Sequence, residues 1–216
     1  MDNRDELTKS LFNSDVKVVY SGSDVFEGLY FDAPIVAQVT GAMDGSVIDV
    51  RVTATSTAFS ICHPFLARKA QCLIRSEKGR IWMENRDLCL NVENQKHGLG
   101  ARIFARQVLG AKALNIKRIV MPAAGSIQTP SHMESELAWL KFGFIANLPF
   151  DIRADLGVKG HPFSHVKTLQ DLIAVPGGTQ WWIENGHPFR MEFDTSDNSF
   201  SWSVLMAYLN RKNIAL

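Results

Sequence analysis

Two glycines one residue apart, Gly98 and Gly100, carry the strongest chemical signal in the chain. They sit in Gln95-Lys96-His97-Gly98-Leu99-Gly100-Ala101, after the strand-like run Leu88-Cys89-Leu90-Asn91-Val92 and before a helical pattern that includes Arg102, Ile103 and Phe104. A strand that feeds glycines and then a helix builds an anion cradle. Glycine lets the backbone approach a ligand, and the unpaired N–H groups of a helix N-terminus point at it. Phosphate is the expected anion. A Walker loop needs Lys-Ser/Thr after its last glycine, and Ala101-Arg102 follows here. A dinucleotide fingerprint needs a third glycine inside a βαβ unit, and the preceding strands read as antiparallel. Other chemistries have weaker support. Cys62, Cys72 and Cys89 are odd in number and irregularly spaced, which fits free thiols rather than a disulfide framework or a zinc site. His161 and His165 are four apart, but Pro162 intervenes and no Glu follows His161, so no metal site is expected. Ser126 and Ser131 have no nucleophile-elbow context. His-Pro-Phe recurs from His63, His161 and His187 without a common period, which suits turns.

The positioning elements follow from hydrophobic period. Alternation marks strands at Val47–Ala54, Ala70–Arg75 and around Ile81–Met83, and Val16–Tyr20 is short and β-branched. Turn signals at Gly41–Gly45 and Ser76–Gly79 make residues 16–92 mostly strand, in an antiparallel meander. Residues 1–15 are polar and expected to be loosely ordered. After Val92 a helix is predicted from about Gly98 to Leu114, burying Ile103, Phe104, Val108, Ala111 and Leu114, with Asn115 as its stop. A strand at Lys117–Met121 ends at Pro122, and a small-residue loop follows. A second helix, capped by Ser131 or Ser135, runs through Leu140 to Gly143, and Phe144–Leu148 resumes as strand. Beyond it the pattern gives a short helix or loop over 151–160, a helix over His165–Ala174 broken by Pro176-Gly177-Gly178, and an amphipathic helix at Ser199–Lys212. The aromatics Trp181, Trp182, Phe189, Phe193, Phe200 and Trp202 suit core packing by default; a cover for the sheet, a substrate lid and a homodimer contact stay open.

The pattern Gln95-x-x-Gly98-x-Gly100-Ala101, set between a strand and an amphipathic helix, resembles the acetyl-CoA pyrophosphate motif of the GNAT N-acetyltransferase superfamily. About forty residues later, Ala138-Trp139-Leu140-Lys141-Phe142-Gly143-Phe144 resembles the family's closing helix-to-strand segment, and Asn115–Met121 resembles its helix end and next strand. Order and spacing agree from about Asp87 to Leu148. The resemblance implies an α+β fold whose mixed, mostly antiparallel central sheet is flanked by helices and splayed between strands at 88–92 and 117–121. It implies one GNAT-like domain over 1–216, with 151–216 a family-atypical C-terminal extension. Acetyl-CoA, or another acyl-CoA, would lie in the wedge. Its pantetheine arm would run beside Leu90, Asn91 and Val92. Its pyrophosphate would rest on Gln95, Lys96, His97, Gly98, Leu99, Gly100 and Ala101, with Lys96 and Arg102 either adding charge or standing solvated.

The activity implied is acyl transfer to a primary amine of a small molecule or a protein. The family uses a carboxylate to take up the amine proton, and Glu84 and Glu93 are the leading candidates; Glu134 and Glu136 are the others. A backbone N–H near Asn91 or Val92 would stabilise the oxyanion. Two positions depart from the family. Trp139 stands where a tyrosine acid is usual, and an indole N–H cannot replace a phenol. His132 stands where many relatives carry asparagine and is the substitute acid. A GNAT-like binding or structural module without catalysis is therefore the second expectation.

Composition narrows the rest. The 216 residues are 46% apolar and 21% charged with net charge +1, an ordinary soluble balance with no basic excess for nucleic acid. No apolar run approaches the roughly 18–20 residues that span a bilayer. Met1–Glu6 is charged and has no apolar signal core, so a cytoplasmic location is expected.

Overall fold

Seven strands form one sheet in the computed structural model, which describes residues 3–123, 138–158, 160–187 and 189–216. Helix α1 (Glu6–Leu11) precedes strand β1 (Lys17–Ser21), and a two-stranded ribbon of β2 (Val25–Phe26) and β3 (Leu29–Tyr30) leads into α2 (Ala33–Thr40). Then come β4 (Val47–Val52), β5 (Ser56–Cys62), β6 (Ala70–Glu77), β7 (Arg80–Asp87), α3 (Leu99–Ala113) and β8 (Arg118–Ala123). Next are α4 (Phe150–Leu156), α5 (Leu169–Ala174), α6 (Gly178–Asn185), β9 (Phe189–Asp194) and α7 (Phe200–Arg211). The sheet order is β1-β4-β5-β6-β7-β8-β9. β4 through β7 form an antiparallel meander that includes β5, a strand the sequence reading did not name, and β8 pairs antiparallel with β9. β1–β4 and β7–β8 are parallel, so the fold is α+β with a mixed, mostly antiparallel sheet flanked by helices.

Four expectations are corrected by the structure. First, residues 16–92 are not a continuous meander, because β1 joins β4 in parallel. A parallel pair needs a crossover, and α2 supplies it. Asp32 caps α2 by accepting from Ile35 N–H at 2.9 Å, and Pro34 occupies its first turn.

Second, residues 3–15 are not loose. The Asp5 carboxylate caps α1 at Thr8 N–H (2.9 Å), and its other oxygen accepts from Ala215 N–H (2.9 Å) and Arg102 (2.8 Å). Phe12 is buried beside Met43, Leu99 and Ile103.

Third, residues 151–216, expected as a C-terminal extension, are built into the sheet. β9 is the sheet neighbour of β8, and Lys112 of α3 lies 4.0 Å above the Trp202 ring of α7. Trp182 and Phe193 are buried, as core packing requires, whereas Phe200 is exposed.

Fourth, Phe144–Leu148 is not a strand of the sheet. It makes isolated bridges from Ile145 to Glu192 and from Asn147 to Thr168.

The inward face of the sheet carries Val50, Phe59, Ile74, Met83, Ile119 and Phe193, all buried. α3 lies on this face: Phe104 packs edge-on against Phe193 with ring centroids 5.1 Å apart. Gly110 lets α2 approach α3, since a Cβ there would stand 2.7 Å from Val39 N. Asn115 ends α3 in the left-handed region (φ 56°), with Ile116 N–H bonded to Ala111 O and Asn115 N–H to Lys112 O. That is a Schellman stop, and the buried Ile116 completes it. Gly143 (φ 98°) ends the helical turn at 138–141 in the same way.

Candidate functional site

The ladder between β7 and β8 has two pairs, Met83↔Ile119 and Glu84↔Val120. Beyond them Asn85 and Asp87 pair with β6, while Met121, Pro122 and Ala123 pair with β9. The two parallel strands therefore part, but from residues 85 and 121 rather than between 88–92 and 117–121. Strand β7 ends at Asp87, and Leu88–Val92 is not a strand of the sheet. The backbone there turns to the segment after β5: Asn91 N–H bonds Phe65 O and Ala67 N–H bonds Cys89 O, both at 2.9 Å. Asn91 Nδ2 adds a bond to Pro64 O at 2.7 Å.

This pairing occupies groups that the resemblance reserved for a ligand. Asn91 N–H is spent on Phe65, and Leu90 O accepts from Gln95 Nε2 at 2.9 Å. Of the three positions Leu90, Asn91 and Val92, the last is the open one. Val92 is 83% exposed and starts a short 3-10 turn, Val92–Asn94, that also carries the exposed Glu93.

The glycine segment is a strained connection into α3. Lys96 (φ 65°) and Gly98 (φ 77°) both sit in the left-handed region. The first bond of the helix ladder runs from Arg102 N–H to Gly98 O at 3.1 Å, so the N–H groups of Leu99, Gly100 and Ala101 lie outside the ladder. The two glycines have different reasons. A Cβ on Gly98 would meet Arg102 Nη1 at 2.7 Å and Ile214 Cδ1 at 3.2 Å, so the fold itself demands glycine there. Among the described residues, a Cβ on Gly100 would meet nothing nearer than Leu90 Cδ1 at 4.0 Å. Its φ is ordinary for a helix, and glycine within a helix costs about 1 kcal/mol relative to alanine. Among the described residues no packing contact explains Gly100.

Lys96 and His97 are exposed in this connection. Arg102 is not. It is 6% exposed, donates to Asp5 and to Thr8 Oγ1 (3.1 Å), and reaches back to His97 O at 3.4 Å. Its charge is committed to the N-terminal helix.

Glu84 lies one residue before the strands part, on the face of β7 opposite α3. Arg75 and Arg86 bracket it at 2.5 and 2.8 Å. Burial pushes its carboxyl up, but the hydrogen bonds from Arg86 and Arg75 hold it below its ordinary range. A carboxylate so held is a weak proton acceptor at neutral pH. His132, Glu134, Glu136, Ser126 and Ser131 lie outside the described residues, as does the start of the second predicted helix. Trp139 packs edge-on to Phe104 with centroids 5.5 Å apart, which places it in the aromatic core with Phe142 and Phe144.

Other titratable groups are structural. His63 uses both ring nitrogens: Nδ1 accepts from Phe65 N–H at 3.0 Å, and Nε2 lies 3.1 Å from Asp44 O. That assigns the Nε2–H tautomer. His161 repeats the turn, accepting from Phe163 N–H at 3.2 Å. Burial pushes the Cys72 thiol up to about 12, an inert core group. Among the described residues no cluster of His, Cys, Asp or Glu is placed to hold a metal ion, and no helix is long and apolar enough to cross a membrane.

Sequence reasoning passed over one polar group beneath β7. Asn85 and Gln107 are both 5% exposed and bonded to each other. The signal was present in the pattern. Asn85 shares the inward phase of the strand with Met83, and Gln107 falls on the apolar face of α3 with Phe104 and Ala111. No protein-family model matches the chain, and no curated protein matches it.

Proposed function

We propose that the protein is a GNAT-like, acyl-CoA-dependent N-acyltransferase of the cytoplasm, holding acetyl-CoA or a related acyl-CoA at Gln95–Ala101 and passing its acyl group to a primary amine. The observation that carries this reading is Gly100. It is a helix-weakening residue at the N-terminus of a long helix, its missing side chain answers no contact among the described residues, and the N–H groups around it lie outside the helix ladder. A bound pyrophosphate supplies the missing reason, because backbone N–H groups hold it best when no side chain stands in between. The parting of β7 and β8 beside this segment supports the same reading. The acyl-CoA supplies an activated thioester. Lys96 lies at the cradle to meet negative charge, and Glu93 is the unbracketed carboxylate next to it.

Two observations favour a second reading, binding without transfer. Glu84, at the last paired position of β7 with β8, is held by two arginines, and Trp139 packs in the aromatic core at the position that resembles the family's acid.

Thermal stability with acetyl-CoA and with CoA, followed by thiol release against a panel of amines, separates the readings. Both ligands are expected to raise the melting temperature, by the free energy of binding to the folded state, about 2.7 kcal/mol at a hundred times Kd. Gly100→Val is expected to abolish that rise while the protein stays folded. Absence of any rise in the natural protein overturns both readings. A rise without thiol release on any amine leaves the binding module.

A further inference from the structure

The two edges of the sheet differ. At β9 the middle of the edge is covered: Ile145 N–H donates to Glu192 O at 2.7 Å, and Glu192 N–H donates to Ile145 O at 3.0 Å. At β1 the edge is open. Among the described residues β4 is the sole strand that pairs with β1. Lys17 N–H donates to Ser46 O at 2.9 Å, so Lys17 turns its backbone groups towards β4. Strand alternation turns Val19 and Ser21 the same way. It leaves the N–H and C=O groups of Val18 and Tyr20 at the outer edge.

Edge strands are commonly guarded by proline, by a bulge or by charge. β1 has no proline, its register with β4 is unbroken, and its one charged side chain, Lys17, stands at its first residue. What it shows is largely apolar. Val19 is 41% exposed on the outward face, beside the exposed Val47 of β4. Tyr20 is exposed on the inward face, its hydroxyl donating to Phe31 O at 2.7 Å, and the preceding residue, Tyr30, is 54% exposed.

We propose that β1 pairs antiparallel with β1 of a second copy of this chain, across a two-fold axis at Val19. In that register Val18 and the partner's Tyr20 exchange both backbone bonds, and symmetry repeats the exchange. Val19 meets the partner's Val19 as a non-hydrogen-bonded pair, the kind whose side chains approach closest. Lys17 faces the partner's Ser21, so no charge meets a like charge; Asp49 and Arg51 lie one strand back, on β4. A two-fold contact uses the same patch on both copies and closes on itself, which leaves no β1 edge exposed. The exposed parts of Val19, Tyr20, Tyr30 and Val47, with the edge backbone, come to at most about 400–500 Å² per copy, against about 800 Å² in a standard interface. That suits a weak, reversible dimer, with a Kd of about 10–500 µM. The pairing uses no residue of Gln95–Ala101 and does not rest on the acyl-CoA reading.

Sedimentation equilibrium of the full chain, from about 5 µM to about 1 mM, tests this. A monomer–dimer equilibrium is expected. Val19→Lys sets two ammonium groups opposite each other at an exposed position and is expected to weaken the dimer at least about tenfold. Cysteine substitution reads the register, and it decides the matter if the lysine variant does not fold. Val19→Cys brings two thiols within disulfide reach, because a non-hydrogen-bonded pair has Cα atoms about 4.5 Å apart. Ser21→Cys keeps the two thiols about 13 Å apart along the strands. With copper–phenanthroline as oxidant, Val19→Cys is expected to cross-link several-fold more than Ser21→Cys or the natural chain, which carries Cys62, Cys72 and Cys89. A monomer at every concentration, assemblies larger than a dimer, a dimer that Val19→Lys leaves intact, or equal cross-linking at 19 and 21 overturns the proposal.

Discussion

The Arg102 guanidinium donates from Nη2 to Asp5 Oδ2 at 2.8 Å across 97 positions of chain, and the same oxygen receives Ala215 N–H. One carboxylate thus joins the N-terminal helix, the start of α3 and the C-terminus.

Removing that carboxylate leaves a nearly buried guanidinium with Thr8 and His97 as partners. Asp5→Ala is expected to lower stability by about 2–3 kcal/mol at pH 7, measured by urea denaturation. Burial pushes the Asp5 carboxyl up, but the N–H groups of Thr8 and Ala215 and the Arg102 charge hold it below its ordinary value. A carboxyl depressed in the folded state stabilises above its unfolded pKa and loses that contribution as pH falls through the folded one. The gap between variant and natural protein is therefore expected to shrink as pH drops below about 4.

His63 gives pH dependence in a different window. Burial lowers its pKa, outweighing the opposite pull of Asp44. Below about pH 6.5 the unfolded chain takes up a proton that folded His63 resists, so stability declines from there down to the folded pKa. His63→Asn keeps an acceptor for Phe65 N–H but does not titrate. Its melting temperature is expected to show a flatter profile between about pH 5 and 6.5 than that of the natural protein.

Gly98 and Gly100 are expected to respond in opposite directions to alanine. Gly100→Ala meets no atom nearer than 4.0 Å and adds helix propensity, for a gain of about 0.5–1 kcal/mol in the ligand-free protein. Gly98→Ala faces φ 77° and the Arg102 guanidinium at 2.7 Å, for a loss of about 1–2 kcal/mol. Equal effects in chemical denaturation would remove the ligand argument for Gly100.

At Gly110 a methyl group would meet the α2 backbone at Val39 N (2.7 Å) and Gln38 C (2.8 Å), which cannot rotate away. Gly110→Ala is expected to cost about 1–3 kcal/mol despite its better helix propensity. The separation of α2 from α3 it forces is expected to weaken the bond from Gln107 Nε2 to Thr40 O, seen as faster exchange of the Gln107 side-chain amide.

How much of this was legible depends on how local each determinant is. The meander, α3 with its stop at Asn115 and α7 with its cap at Ser199 follow from period and capping chemistry within a few residues. Phe189-Arg190-Met191-Glu192-Phe193-Asp194 alternates cleanly, but its place as β9 rests on pairing with Arg118–Ala123, far away in the chain. Leu88–Val92 looked like a continued strand because its side chains are strand-like; its backbone bonds instead to 65–67, a choice that no residue in the run encodes.

The sequence by itself determined the glycine connection into α3, since φ above zero at Gly98 and the helix start are local properties of a few residues. Only the tertiary structure decided what surrounds it. Arg102, which reads as a phosphate ligand in one dimension, is drawn to Asp5, and Glu84, which reads as a base, is closed between Arg75 and Arg86. Charged side chains go to the partner that offsets their desolvation, and that partner can stand anywhere in the chain. Gly100 is left as a glycine whose residue type no contact among the described residues requires.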